Sequence, residues 1–323
     1  MIATVTINPA IDETVEIPGF RPDAVNRVNT CLSHAGGKGV NVAAALADYG
    51  VSVCATGFLG TENDAIFRTL MSTKGIEDHF LRIPGSTRRG IKIVDSVAGT
   101  TTDINYPGLT PELRELDEFH GVVREIVRSC EWIVVTGSIP PGVPETIYAD
   151  IVRIARDQGC RTALDTSGAA LRHAVDAGPS FVKPNVHELA EYAGRPIDGI
   201  ADIRAEARGL IEKGVSLVAI SMGEEGALLQ DADGAVRVYP AKVDVRSTVG
   251  AGDAMVAGIL AGFIASSVAS GAEGVAAPVA PELESLASLG AAFSAAALSH
   301  PGTGIQSPDD VQRYRRGLRV ERL

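Results

Sequence analysis

The sequence predicts an α/β protein with a mainly parallel main sheet, covered by helices on both faces, and a small second sheet standing off it. Three observations carry that prediction. From about residue 35 onward, short apolar runs alternate with amphipathic segments, the pattern of buried strands joined by crossover helices. Two other segments, near 11–34 and 86–107, alternate polar and apolar residues with no helical segment inside them, as antiparallel strands with one solvated face do. A chain of 323 residues is also long enough to bury a substantial core.

The elements follow in order. MIATVTINPAIDETVEI alternates like a strand and has no basic leader, so no signal peptide is expected. VNVAAALADYG (40–50) reads as a helix closed by Gly50, VSVCATGFLG (51–60) as a buried strand entering a turn, and AIFRTLMSTKG (65–75) as a helix. RRGIKIVDSVAGTTTDINYPG (88–108) reads as two strands with a turn at Ala98–Gly99. WIVVTGS (132–138), RTALDTS (161–167), FVKPN (181–185) and SLVAISMG (216–223) read as strands. Between them, ETIYADIVRIARDQG (145–159) and ADIRAEARGLIEKG (201–214) read as helices. The most apolar run, AMVAGILAGFIA (254–265), is short for a bilayer span and rich in Ala and Gly, so it reads as a tightly packed internal helix. The Ala/Ser/Gly/Glu-rich stretch 266–284 reads as a surface loop with helical ends.

Composition excludes several classes. A net charge of −11 argues against a general nucleic-acid binder. The four cysteines, at 31, 54, 130 and 160, form no CxxC pair and no His/Cys cluster, which argues against a disulfide framework or structural zinc and fits a reducing, cytoplasmic setting.

Four motifs carry chemistry. In STVGAGDAMVAG (247–258), Gly250, Ala251 and Gly252 enter a helix, where unpaired N–H groups and the helix dipole make an anion hole. Asp253 follows directly, and an acid there would repel a bound anion. It suits the removal of a proton from a hydroxyl that attacks that anion, the pairing that phosphoryl transfer needs, but it equally fits a helix cap. HAGGKGVN (34–41) presents Lys38 and Asn41 at a helix start without matching the phosphate-loop spacing G-x-x-x-x-G-K-[ST]. KPNVHE (183–188) sets Asn185 and Glu188 three apart, suited either to a hydrated Mg²⁺ or to a capping box. Arg27, Arg88, Arg89 and Lys92 form a cationic group in an acidic chain, as a phosphorylated substrate would require, although exposed strands carry such charges anyway. The six histidines show no ligand spacing and read as surface or internally satisfied residues.

Together these motifs resemble the ribokinase-like (PfkB) carbohydrate kinases over nearly the whole chain. STVGAGD, GGKGVNVA and VKPNVHEL are similar to that family's signatures. TINPAID (6–12), VNRV (25–28), TRRGIKI (87–93), TDINYPG (102–108), TGSIPPGVP (136–144) and ISMGEEGAL (220–228) look most like its 1-phosphofructokinase and tagatose-6-phosphate kinase branch. The resemblance implies one kinase domain over residues 1–323, a three-layer Rossmann-like body with a β-sheet lid from about 11–34 and 86–107, and a homodimer through the lids. It implies ATP and Mg²⁺, a phosphosugar acceptor, and no nucleic-acid or membrane partner. Asp253 becomes the base, with the Gly250–Ala251–Gly252 N–H groups on the transferring phosphoryl. Asp12, Gly37, Asn41, Asn105 and Ser138 become sugar contacts, and Arg27, Lys38, Arg88 and Lys92 candidates for the sugar's phosphate. Lys183, Asn185, Ser221, Gly223, Gly226 and Thr248 border the nucleotide, and Asn185 and Glu188 reach the metal through water. Two positions depart from the branch: Gly90 stands where Asn is usual and Arg89 where an apolar residue is usual, so either arginine of the pair can face the phosphate. The expected reaction is phosphorylation of fructose 1-phosphate at its 6-hydroxyl. The alternatives are the same chemistry on tagatose 6-phosphate or fructose 6-phosphate, and, from another class, a non-catalytic sugar- or nucleotide-binding protein.

Overall fold

The computed structural model describes residues 1–246, 249–272, 281–300, 302 and 304–323. The chain begins with β1 (Ile2–Thr6), buried at every residue, then turns at 7–9 into β2 (Ala10–Glu16), which belongs to a different sheet. The N-terminal segment that alternates like one strand is therefore two. β3 (Thr30–Gly36) pairs with β2, and the chain returns to the body through α1 (Lys38–Asp48) and β4 (Val53–Gly60). After α2 (Ala65–Lys74) and the short β5 (Glu77–Asp78) and β6 (Leu81–Ile83), a second excursion forms β7 (Arg89–Asp95) and β8 (Thr100–Asn105). Helix and strand then alternate: α3 (Leu113–Ile126), β9 (Trp132–Thr136), α4 (Ile147–Asp157), β10 (Arg161–Asp165), α5 (Gly168–Asp176), β11 (Phe181–Val182), α6 (Val186–Ala193), α7 (Gly199–Glu212) and β12 (Leu217–Ser221). The chain ends with β13 (Ala227–Gln230), β14 (Ala235–Val238), α8 (Ala251–Ala272), α9 (Leu283–Leu298), α10 (Pro308–Arg315) and β15 (Val320–Arg322).

The main sheet runs β15-β14-β13-β12-β11-β10-β9-β1-β4-β5, with β6 also on β4. It is parallel from β12 to β5 and antiparallel beyond. Alternate residues serve opposite faces. Ile2, Trp132 and Val134 join α1, α2, α8 and α9 in one core, while Val5, Ile133 and Val135 join α3 to α7 in another. Three layers result, and because the parallel strands are buried on both faces they read as continuous apolar runs.

The second sheet, β3-β2-β7-β8, is made of two antiparallel hairpins. The two segments read as antiparallel strands differ in one respect: β2 and β7 run parallel where the hairpins meet. Each excursion leaves the body from the same side, so their first strands point the same way. The apolar face of this sheet covers a small core of Val15, Ile17 and Ile93, and Asp12, Thr14 and Lys92 alternate with those residues on the other face.

The run AMVAGILAGFIA lies in a longer helix than its own length. Ala251–Val268 has a mean hydropathy of 1.6 and is long and apolar enough to cross a membrane by length and composition alone, yet half of it is buried inside the fold. There α8 packs on α9. A Cβ on Gly258 would stand 2.8 Å from the Leu289 carbonyl oxygen and 2.9 Å from the Gly290 Cα, so the small residues serve close helix contact. Residues 273–280, within the stretch expected to be a surface loop, lie outside the described residues.

Candidate active site

Ligand sites in open α/β sheets lie outside the carboxyl ends of the strands, where the strand order reverses. Here β1 sits between β4 and β9, and polar residues gather at that end. Asn8 lies just beyond β1 and Ser138 just beyond β9; the Asn8 amide donates to Ser138 Oγ at 3.1 Å. Asp165 ends β10, Lys183 follows β11, and Ser221 ends β12.

Two helices open onto the same place. Among the described residues the α1 ladder begins with Asn41 N to Gly37 O and the α8 ladder includes Ala254 N to Gly250 O, so both helices turn the N–H groups of their first turns toward this place. Gly37 must be glycine: its φ is +116°, and a Cβ there would lie 2.8 Å from Thr6 Cγ2. The two ends are joined by the Asn41 amide, which donates to Asp253 Oδ2 at 2.8 Å.

The charges are closely coupled. Asp165, buried, takes Lys38 Nζ at 3.2 Å and Lys183 Nζ at 3.4 Å on one oxygen, Oδ1. Its other oxygen, Oδ2, has no hydrogen-bond partner among the described residues. Burial pushes the Asp165 carboxyl up, but the two ammonium groups outweigh it and hold it below its usual range. Burial pulls Lys38 down, and Asp165, Asp253 and Glu188 more than reverse this, keeping it charged. Asp253 has no such direct ion pair. Burial, and then the negative charge of Asp165, raise it to about 6, against the opposing pull of Lys38, the Asn41 hydrogen bond and Lys183. Lys183 lies against the α8 entrance, its Nζ 3.5 Å from where a Cβ on Gly252 would stand. The result is a buried carboxylate able to take a proton at neutral pH, beside two helix N-termini and two cations that can hold an anion.

The proposed nucleotide side is more structural. Asn185 and Glu188 form the capping box: Glu188 N donates to Asn185 Oδ1 at 2.9 Å and Asn185 N to Glu188 Oε2 at 2.8 Å. Glu188 Oε1 is left over, 4.0 Å from Lys38 Nζ. Asn185 also bridges to Ser221, which brings the two loops together. Gly223 opens a 3₁₀ turn (Gly223–Glu225) and Gly226 closes it, at φ +59° and +89°, ahead of β13. Thr248 lies outside the described residues. Among the described residues no group of three or more His, Cys, Asp or Glu could hold a metal ion by itself.

A cavity of about 710 Å³ lies along the polar face of the second sheet, lined in part by Asp12, Thr14, His34, Lys92 and Asn105. Asp12 is seated over two glycines. A Cβ on Gly36 would meet its Oδ2 at 2.1 Å, and one on Gly90 would meet its Oδ1 at 2.8 Å and Asn105 Oδ1 at 3.5 Å. Gly90, the departure from the branch pattern, is thus the floor beneath two polar side chains. Burial raises the Asp12 carboxyl against the opposing charges of Arg88, Lys92 and His34. Lys92 Nζ lies 3.3 Å from Asp103 Oδ1. Arg88 is half-buried, with Nη2 3.4 Å from the Asn8 carbonyl and a buried Nε that has no partner. Arg89 instead pairs with Glu13 on the opposite face, so Arg88 is the arginine turned toward this group. Arg27 stays exposed in the β2–β3 loop and joins neither the cavity wall nor the charged cluster.

Three residues join the site without having been expected there. Asp165 carried a signal, an acid closing an apolar strand. Asn8 sits inside TINPAID, and only the fold brings it to Ser138. His34, read as surface or internally satisfied, is paired in register with Asp12 and lines the cavity.

The profile of the pfkB family of carbohydrate kinases matches residues 5–310. The chain is 42% identical over 323 residues to a 1-phosphofructokinase of Rhodobacter capsulatus, covering 100% of this chain and 98% of that protein. It is 40% identical over 313 residues to a 1-phosphofructokinase of Xanthomonas campestris pv. campestris, covering 96% and 94%. Phosphofructokinase-2 from Escherichia coli, solved in complex with substrates and products, is similar with a TM-score of 0.86 at 29% identity, covering 98% of each chain.

Proposed function

The chain belongs to the pfkB family of carbohydrate kinases, and from that premise we propose that it transfers the γ-phosphoryl group of ATP to the 6-hydroxyl of fructose 1-phosphate, giving fructose 1,6-bisphosphate. One observation carries the chemistry: a buried carboxylate, Asp253, raised to about 6, in the first turn of α8 and beside the paired cations Lys38 and Lys183. The choice of sugar rests on similarity to the two 1-phosphofructokinases along the chain.

In this reading the sugar hydroxyl donates its proton to Asp253 as its oxygen attacks phosphorus, and ADP leaves. The Gly250–Ala251–Gly252 N–H groups, with Lys38 and Lys183, hold the transferring phosphoryl group, and Asp165 fixes both lysines. Asp12, Asn41, Gly37 and Asn105 take sugar hydroxyls. Arg88, Ser138 and Lys92 take the phosphate already present. Asn185, Ser221, Gly223, Gly226 and Thr248 border the nucleotide. Asp165 Oδ2 and Glu188 Oε1 are hard donors that would help hold a Mg²⁺ ion, too few to cage it, as suits an ion held mainly by phosphates and water; when bound it would neutralise phosphate charge. The second sheet acts as a lid that excludes water. Its exposed Ile104 and Tyr106 support a homodimer through that sheet, and the four free thiols support a cytoplasmic setting.

The test is a coupled ADP-release assay with Mg-ATP and a panel of fructose 1-phosphate, fructose 6-phosphate, tagatose 6-phosphate and fructose, compared by kcat/KM. The expected result is a clear preference for fructose 1-phosphate. Preference for a 6-phosphate would reverse the sugar in the pocket, and no turnover on any of them would overturn the reading.

A further inference from the structure

We infer that Asn8 is a positioning residue of the phosphosugar pocket, which turns the Ser138 hydroxyl and the Arg88 guanidinium toward an anionic oxygen acceptor on the sugar; the inference rests on the phosphosugar-kinase reading above. Asn8 lies two residues past the end of β1, where the chain crosses from the main sheet to the second. Three segments remote in sequence meet on it. Its Nδ2 donates to Ser138 Oγ at 3.1 Å, and its carbonyl lies 3.4 Å from Arg88 Nη2. Its Oδ1 faces Gly108, where a Cβ would stand 2.1 Å from that oxygen and 3.1 Å from Pro140 Cβ. TINPAID, TDINYPG and TGSIPPGVP thus meet at the Asn8 side-chain amide, while TRRGIKI reaches the backbone carbonyl of the same residue.

The donor and acceptor count gives this contact direction. A serine hydroxyl has one proton and two lone pairs. Because Ser138 Oγ accepts from Asn8, its own proton is left to donate outward. Arg88 has five N–H donors; one is directed at the Asn8 backbone carbonyl, and Nε is buried with no partner among the described residues. A freed hydroxyl proton and an unpaired buried guanidinium N–H call for the same thing, an oxygen acceptor, and a phosphate supplies several. Asn8 Oδ1 is itself buried without a hydrogen-bond partner among the described residues. An unsatisfied amide oxygen costs stability, which is expected where a geometry serves binding.

Three variants and one cycle test this. Asn8→Ala should raise the KM for the preferred phosphosugar about tenfold while the KM for ATP stays within about twofold, since a lost hydrogen bond to a charged ligand has roughly that effect. Asn8→Asp cannot donate to Ser138 and adds negative charge near the phosphate, so it should raise the same KM further. In the cycle, Asn8→Ala in a Ser138→Ala background should add less than about twofold, because Asn8 acts partly through that hydroxyl. If Asn8→Ala fails to fold, Gly108→Ala displaces the same amide with Asn8 kept, and it should show the same split between the two substrates. Fully additive effects, or equal loss of affinity for ATP, would reduce Asn8 to a packing residue and overturn the inference. Binding of fructose 1-phosphate, followed by its thermal shift, separates the two readings. Binding without turnover overturns the kinase reading and leaves Asn8 testable by affinity, whereas turnover with an unchanged phosphosugar KM in Asn8→Ala overturns only the inference. No phosphosugar binding by the unmodified protein overturns both.

Discussion

Asp253 is held in a position that works against its own charge. Burial raises it from an ordinary 3.8 to about 6, and Asp165 nearby adds to the effect. A carboxyl whose folded-state pKa lies above its unfolded value holds a proton in the native protein that the unfolded chain has already lost. Its stabilising contribution is therefore complete below about pH 4 and is lost as the pH rises through about 6. At neutral pH the ionised group lowers stability while being the form that can accept a proton. Asp253→Asn should then lower kcat by ~10³ and raise Tm by roughly 2–5 °C at pH 7.5, read by the ADP assay and by calorimetry. Turnover within about tenfold of the unmodified enzyme would remove Asp253 from the base role. In the intact protein kcat should fall tenfold per pH unit below about pH 6, as the base fills with protons. Asp165 behaves oppositely, since its lysines keep it ionised well into acid.

At the scale of elements, α8 joins chemistry to packing. Its first turn carries Asp253 and its next turns carry Gly258. A Cβ at 258 would also lie 2.8 Å from Phe293 Cδ2, and one at Gly290 would lie 2.9 Å from Ile259 Cγ1. Gly258→Val should therefore push α9 away and lower stability by about 1–3 kcal/mol in a urea titration, with kcat falling as the α8 entrance shifts. An unchanged unfolding midpoint would mean that the two helices are loosely packed. The same helix explains a limit of sequence reading. Buried throughout residues 253–262, it has no polar face along that stretch, so AMVAGILAGFIA reads as a shorter run than the helix it belongs to. The body strands were legible because burial on both faces makes them continuously apolar. The parallel β2–β7 pair was not, because alternation along a strand says nothing about the direction of its neighbour.

For the whole molecule, the site is divided between two sheets. Asp253, Asp165, Lys38 and Lys183 sit at the edge of the large sheet, while Asp12, Lys92 and Asn105 sit on the small one. Movement of one sheet against the other would open and close the space between them, and a second copy packed on the small sheet would steady it. The protein should sediment at twice its 33.6 kDa chain mass, and Ile104→Glu with Tyr106→Glu should return it to a monomer. A monomer before mutation would sink the proposed dimer and leave the site as described.

The sequence alone determined the alternation of strands and helices, the glycine turns at 36–37 and 250–252, and the acid that follows the second of them. Each is a local matter of periodicity or of backbone freedom, written in consecutive residues. Only the tertiary structure decided which arginine faces the pocket, that Gly90 is the floor under Asp12, and that Asp165, Asn8 and His34 belong to the site. Those facts depend on strand order and register. Residues more than a hundred positions apart, such as Asn8 and Ser138 or Lys38 and Asp165, meet only because β1 lies beside β9 and β9 beside β10 in the main sheet.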